Sequence, residues 1–197
     1  MKTVYLSALL CGASAAYGQT TAIKTNLLSP VVRAGSVALE RQLKPGTSLQ
    51  LHAFYTPGTG RILGGTRVEG YGITPELRFY VGGQQLTGFY LGPYLRYQQF
   101  RVVEKLEPCD SWFGASGNCA TWGQPTERRG TLRAFGVGIL FGRQWRVGQH
   151  FILDPFVGLG FNGSVAETTD SFENDFDNTE LYNGLEPRLG LAIGVAF

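Results

Sequence analysis

Three residue types are scarce in this 197-residue chain: methionine occurs once, histidine twice and cysteine three times. The two histidines, His52 and His150, offer little for imidazole chemistry. Neither has a Ser or carboxylate at a recognisable catalytic spacing. The cysteines have no second ligand pair nearby, which argues against a zinc site. Charge of one dominant sign is also missing. The formal net charge is only +2, so nothing points to a nucleic-acid partner. Beyond the N-terminus no apolar run reaches 18 residues, which argues against spanning helices. The glycines of "GGTRVEGYG" and "GVGILFG" open no helix, so neither stretch is a phosphate cradle. No cofactor and no metal is expected.

What the chain does contain is glycine, at 28 residues, and aromatics, at 13%. With few helix formers, this composition points to strands and turns. The start, "MKTVYLSALLCGASAAYGQ", has Lys2, a short apolar core from Val4 to Cys11, and small residues Ala16 and Gly18 before Gln19. It reads as a secretory signal over 1–18, cleaved to leave 19–197. Lipidation at Cys11 is disfavoured because Leu10 stands where a small residue is needed. Cys11 leaves with the leader, so Cys109 and Cys119 remain. An even pair in an exported chain is expected to form a disulfide, closing "CDSWFGASGNC".

The mature chain alternates in strand fashion and shows almost no helical period. Strands are expected at 20–29, 32–43, 47–56, 70–81, 86–103, 131–146, 150–162 and 186–197. After the first two, the connections alternate short and long. "KPGT", "GGQQ" and "VGQ" are short, whereas 57–69, 104–130 and 163–184 are long. A meander with one bare end and one dressed end is the pattern of an outer-membrane barrel. The expected fold is all-β: an eight-stranded antiparallel up-and-down transmembrane β-barrel with a filled polar interior and both termini in the periplasm.

Facing follows from the alternation. In "EPRLGLAIGVAF", Leu189, Leu191, Ile193, Val195 and Phe197 share one face, against Arg188, Gly190, Ala192, Gly194 and Ala196. An eight-stranded interior is only wide enough for side chains to fill. The bulky face is therefore assigned to lipid and the small and charged face to the lumen. Closure pairs every backbone group, as hydrocarbon demands. A soluble lipocalin-like barrel would reverse these faces, and the small face carries too few charges for a water surface. Tyr55, Tyr71, Tyr97, Trp145, Phe151 and Phe197 are expected to form aromatic girdles. The lumen-facing set contains Lys24, Glu40, Glu76, Arg78, Arg96, Asp154, Glu186 and Arg188, four cations and four anions. Such a set is expected to form hydrogen-bonded ion pairs that block the interior. Arg33, Arg41, Arg101 and Arg143 face outward. Most lie near strand ends where they can snorkel, and Arg143 is the least comfortable.

The stretch "ETTDSFENDFDNTE" is acidic, but it lacks the glycine and the flanking helices of a calcium loop. It reads as a solvated loop, with Phe172, Phe176 and Tyr182 available to a surface partner.

The motifs "AIKTNLLSP", "ITPELRFYVGG", "GFYLGPYLRY" and "GVGILFGRQWRVGQHFILDPFVGLGF" resemble the small β-barrel proteins of the Bacteroidota outer membrane, of OmpA/OmpX-like architecture. Lys24 to Leu28 and Pro75 to Arg78 are the most specific parts, and the terminal Phe197 matches the ending common to such barrels. The resemblance implies an eight-stranded barrel and a location; it brings no catalytic residues. The expected function is a non-enzymatic, monomeric outer-membrane barrel in contact with lipid. Its role would be structural, or it would present 104–130 and 163–184 to a surface protein or polysaccharide. A lipid-modifying barrel enzyme and a narrow pore are the alternatives.

Overall fold

The computed structural model describes residues 20–62, 66–82, 86–106, 109–113, 118–122, 126–168 and 183–197. The expected signal segment and most of the acidic loop lie outside the described residues. Among the described residues ten strands run in chain order: β1 Thr21–Asn26, β2 Gly35–Lys44, β3 Thr47–Ile62, β4 Thr66–Tyr80, β5 Gly88–Leu106, β6 Cys109–Phe113, β7 Asn118–Trp122, β8 Thr126–Val147, β9 Phe151–Thr168 and β10 Gly184–Ala196. Eight of them close into one barrel, in the order β1-β10-β9-β8-β5-β4-β3-β2, and β6 and β7 form a separate two-stranded hairpin. All neighbours are antiparallel. The barrel is thus the expected eight-stranded meander.

Strand lengths depart from expectation in a consistent direction. The long connection expected over 57–69 is mostly strand, because β3 and β4 continue pairing to Ile62↔Thr66. Within the expected loop 104–130, β5 and β8 stay paired to Leu106↔Thr126, setting Glu104 opposite Arg128 and Lys105 opposite Glu127. β9 likewise runs past 162 to Thr168. The hairpin sets Cys109 opposite Trp122 and Cys119 opposite Trp112. The expected Cys109–Cys119 bridge rests on side chains outside the described residues.

The first strand is shorter than expected and ends at Asn26. Asn26 Oδ1 accepts from the Leu28 and Leu191 backbone N–H groups, each at 3.1 Å. The chain then forms a 3₁₀ turn over Ser29–Val32, with Pro30 near its start. Arg33, at φ 56°, closes the turn in the left-handed region. Polar Asn26, proline and the turn together stop β1 before the barrel wall is complete at that end.

Candidate functional site

The interior has three layers, stacked from the end that carries the termini to the end that carries the long connections. The first layer is apolar. Leu86, in the β4–β5 connection, has φ 45° and is almost fully buried. It packs with Ala22, Tyr80, Tyr90, Ile152 and Ala196 across the terminal mouth, with Phe156 against the cluster.

The second layer is ionic. Lys24 Nζ donates to Glu40 Oε2 at 2.6 Å, to Gln144 Oε1 at 2.8 Å and to Asp154 Oδ2 at 2.9 Å. Arg78 Nη1 reaches the same Asp154 oxygen at 2.7 Å, and its Nε donates to Glu76 Oε1 at 2.5 Å. Neutral groups satisfy the remaining lone pairs. Tyr80 donates to Glu40 at 2.7 Å and Tyr90 to Asp154 at 2.8 Å, while Ser48 Oγ also donates to Glu40. Gln144 Nε2 donates to the Leu86 carbonyl at 2.8 Å, which fastens the apolar layer to the ionic one. The Arg78 guanidinium lies 4.1 Å from the Tyr90 ring centroid. The charges of this layer are no more than 2% exposed. Desolvation of that extent is tolerable only because the charges are paired and hydrogen-bonded throughout. The result is a cross-linked wall of side chains from β1, β2, β3, β4, β5, β8 and β9.

Glycine makes room for the aromatic rings of these layers. A Cβ built on Gly142 would stand 2.4 Å from the Tyr90 hydroxyl oxygen, and one on Gly138 would stand 2.5 Å from Tyr94 ring atoms. Gly190 is held against Phe156 in the same way. The inward glycines of β8 and β10 are therefore sockets for rings from β5 and β9.

The third layer is a cup. A cavity of about 610 Å³ lies above the ionic wall, toward the end that carries the long connections. Arg96 Nη1 binds Glu186 Oε1 at 2.5 Å, and Asn162 Nδ2 donates to the other Glu186 oxygen. Arg188 sits at the boundary of the two polar layers, 6% exposed, with its guanidinium 5.0 Å from the Tyr94 ring centroid and 5.5 Å from that of Phe156. Its Nη1 is 3.5 Å from Glu76 Oε2 and has no hydrogen-bond partner. Both ring nitrogens of His52, which lines the cup, also lack a partner. All eight charged residues read as lumen-facing are thus inside the barrel. Lys24, Glu40, Glu76, Arg78 and Asp154 meet in the wall, Arg96 and Glu186 in the cup, and Arg188 between them. Sequence reasoning missed the neutral members Ser48, Gln144 and Gln50, whose Nε2 donates to Glu76 Oε2 at 3.5 Å, and the hydroxyl roles of Tyr80 and Tyr90. Alternation marks Tyr80, Tyr90 and Gln144 as inward, but nothing in the sequence says which charge each serves.

The outer surface is an apolar belt. Leu189, Ile193 and Val195 of β10 and Phe197 just beyond it are exposed, as are Phe135, Val137, Ile139 and Phe141 of β8, while Leu191 is half-buried. Near one edge of the belt Tyr71, Tyr97 and Phe135 form a row, with ring centroids 6.3 Å and 5.0 Å apart. The hydroxyls of Tyr71 and Tyr97 donate to Gln99, and that of Tyr55 to Glu69. Near the other edge Phe89 stacks on Phe141 at 5.8 Å. Arg143, the outward cation without an obvious niche in the sequence, lies 4.7 Å from the Phe89 ring centroid and 4.9 Å from that of Trp145. Among the described residues, no group of three or more His, Cys, Asp or Glu side chains is arranged to hold a metal ion.

No curated protein matches the chain. Among solved structures it is similar to the N-terminal β-barrel domain of Pseudomonas aeruginosa OprF, with 12% sequence identity and a TM-score of 0.39, over 91% of this chain and 98% of that one. At that distance the barrel reading rests on the strand register described above. The match that decides kinship covers residues 4–180, and by it the chain belongs to the family described as "Protein of unknown function (DUF3575)".

Proposed function

We propose that the protein is a non-enzymatic, integral barrel of the outer membrane of a Gram-negative bacterium, with its termini in the periplasm. The observation that carries this reading is the apolar belt with an aromatic row at each edge. On β8 the belt runs from Phe135 to Trp145, ten residues along the strand. At about 3.4 Å per residue and a tilt of about 40°, that spans roughly 26 Å, close to the ~25 Å apolar band of outer-membrane barrels. The layered interior supports a sealed cylinder over a pore. The β5–β8 extension and the β6–β7 hairpin support a role for 104–130, together with 163–184, in presenting a surface to a protein or polysaccharide partner. The sequence resemblance supports a Bacteroidota-type envelope as its setting.

Unheated protein in SDS is expected to migrate as a compact band distinct from the boiled form, and to fractionate with outer-membrane lipid. Identical mobility before and after boiling, or recovery as a detergent-free monomer, would overturn the reading. Crosslinking in intact cells through 104–130 or 163–184 is expected to capture a neighbour.

A further inference from the structure

We infer that the cup is a binding site for a single-chain acyl carboxylate, entered sideways from the bilayer through a gap in the barrel wall between β10 and β3, beyond the short β1–β2 hairpin. This goes beyond the structural role above and rests on its membrane placement. The gap follows from the register. β1 pairs with β10 only from Ala22↔Ala196 to Asn26↔Ala192, and the last backbone bond is Leu27 N–H to the Leu191 carbonyl at 2.8 Å. β10 continues to Gly184, paired with β9 on its other side. The edge from Gly190 to Gly184 therefore has no strand partner among the described residues. Where a strand would continue, the chain instead forms the Ser29–Val32 turn. With β1 and β2 both ended at that level, β10 and β3 stand about 14 Å apart, and the Ser29–Val32 turn occupies part of the opening. Leu189 and Pro187 are in register with Val157 and Leu159, both exposed belt residues, so the gap begins inside the belt.

The gap and the cup are one cavity. Leu28, Val31, Val32 and Leu189 line its mouth, and Phe54, Phe100 and Phe156 line its inner part. Val31 and Val32 are 80% and 68% exposed and have no apolar cover of their own. Its volume, about 610 Å³, is within the ~300–1,000 Å³ range of small-molecule sites. The inner end supplies the recognition of charge. Arg188 is nine-tenths buried, yet its Nη1 has no acceptor in hydrogen-bond geometry, and the His52 ring has no partner. The other cation of the cup, Arg96, is already engaged by Glu186. Glu76, the nearest anion to Arg188, is held more closely by Arg78. Arg188, at the boundary, is thus the counter-charge of the wall's third carboxylate, held loosely at 3.5 Å from Glu76, while Arg96 and Glu186 balance each other in the cup. An entering carboxylate would accept from Arg188 Nη1 and His52, and its chain would lie along Phe54 and Phe100 and leave between Val32 and Leu189.

The test is equilibrium dialysis of radiolabelled palmitate against full-length protein in nanodiscs of a zwitterionic phospholipid. Saturable binding at one palmitate per barrel is expected. Arg188→Met should weaken it at least tenfold while the heat-sensitive compact band persists in SDS. Val32→Trp, on the exposed turn, should slow uptake severalfold from the bilayer. Acetate and inorganic phosphate should fail to compete at concentrations matched to palmitate. Absence of saturable binding overturns the inference. So does equal affinity in wild type and R188M, or effective competition by acetate or phosphate, which would leave the apolar mouth without a role. If R188M loses its compact band, His52→Leu is the variant that decides, and unaltered affinity there overturns the assignment of the carboxylate end. Retention of the compact band by wild type without palmitate binding removes this site alone; loss of that band from wild type removes the barrel reading itself.

Discussion

At the scale of the residue, the interior depends on a few atoms that serve several partners at once. Asp154 Oδ2 accepts from both Lys24 and Arg78, and Asp154 Oδ1 from Tyr90. Removing one cation leaves a buried carboxylate short of charge. Arg78→Met is therefore expected to destabilise the barrel by about 3–5 kcal/mol, read as a lower urea midpoint for loss of the compact SDS band. An unchanged midpoint would mean that the ionic layer is better hydrated than its burial indicates. Gly138 is sensitive for a different reason. A side chain there meets the Tyr94 ring, which is also approached by Gly160 from the next strand. Gly138→Val is expected to cost about 1–3 kcal/mol through overpacking, and a smaller side chain at position 94 should relieve part of that loss in the double variant.

At the scale of the element, alternation carried most of the legible information. Lys24, Glu40, Arg78 and Asp154 share the inward parity of their strands with the small residues, but so do bulky Tyr80, Tyr90, Tyr94, Leu140 and Ile152. Parity therefore separates lumen from belt, whereas bulk alone does not. Strand ends were less legible. Extension of β3–β4 and β5–β8 beyond the belt depends on backbone pairing between two strands, which no single strand reveals. The arrest of β1 at Asn26 depends on a side chain capping two backbone donors, one of them on β10. Leu86 was the least legible residue of all. It lies in a turn, and only the left-handed backbone at that position turns its side chain into the mouth. The belt assignment is checked at β10. Leu191→Arg, facing lipid near mid-strand, is expected to cost roughly 2–4 kcal/mol of folding stability in bilayers. Equal folding of variant and parent would show the faces to be reversed.

At the scale of the whole molecule, the layers act in series. Leu86 and its neighbours close one mouth, and the Lys24–Arg78–Asp154 wall closes the lumen behind it. Planar-bilayer recordings are expected to show no steady conductance from the wild type. Leu86→Ala should also stay silent, because the ionic wall remains when the apolar layer is thinned. A stable single-channel step from either protein would contradict a filled interior.

The seam between β1 and β10 has a further consequence for biogenesis. It joins Ala22 to Ala196, nearly opposite ends of the polypeptide, and every other ladder of the barrel joins neighbours in the meander. Until β10 has been delivered, the nascent sheet has two bare margins and an oily surface that attract other chains. The cylinder cannot be completed piecemeal. Truncation anywhere before the last strand should yield aggregate in place of a smaller barrel.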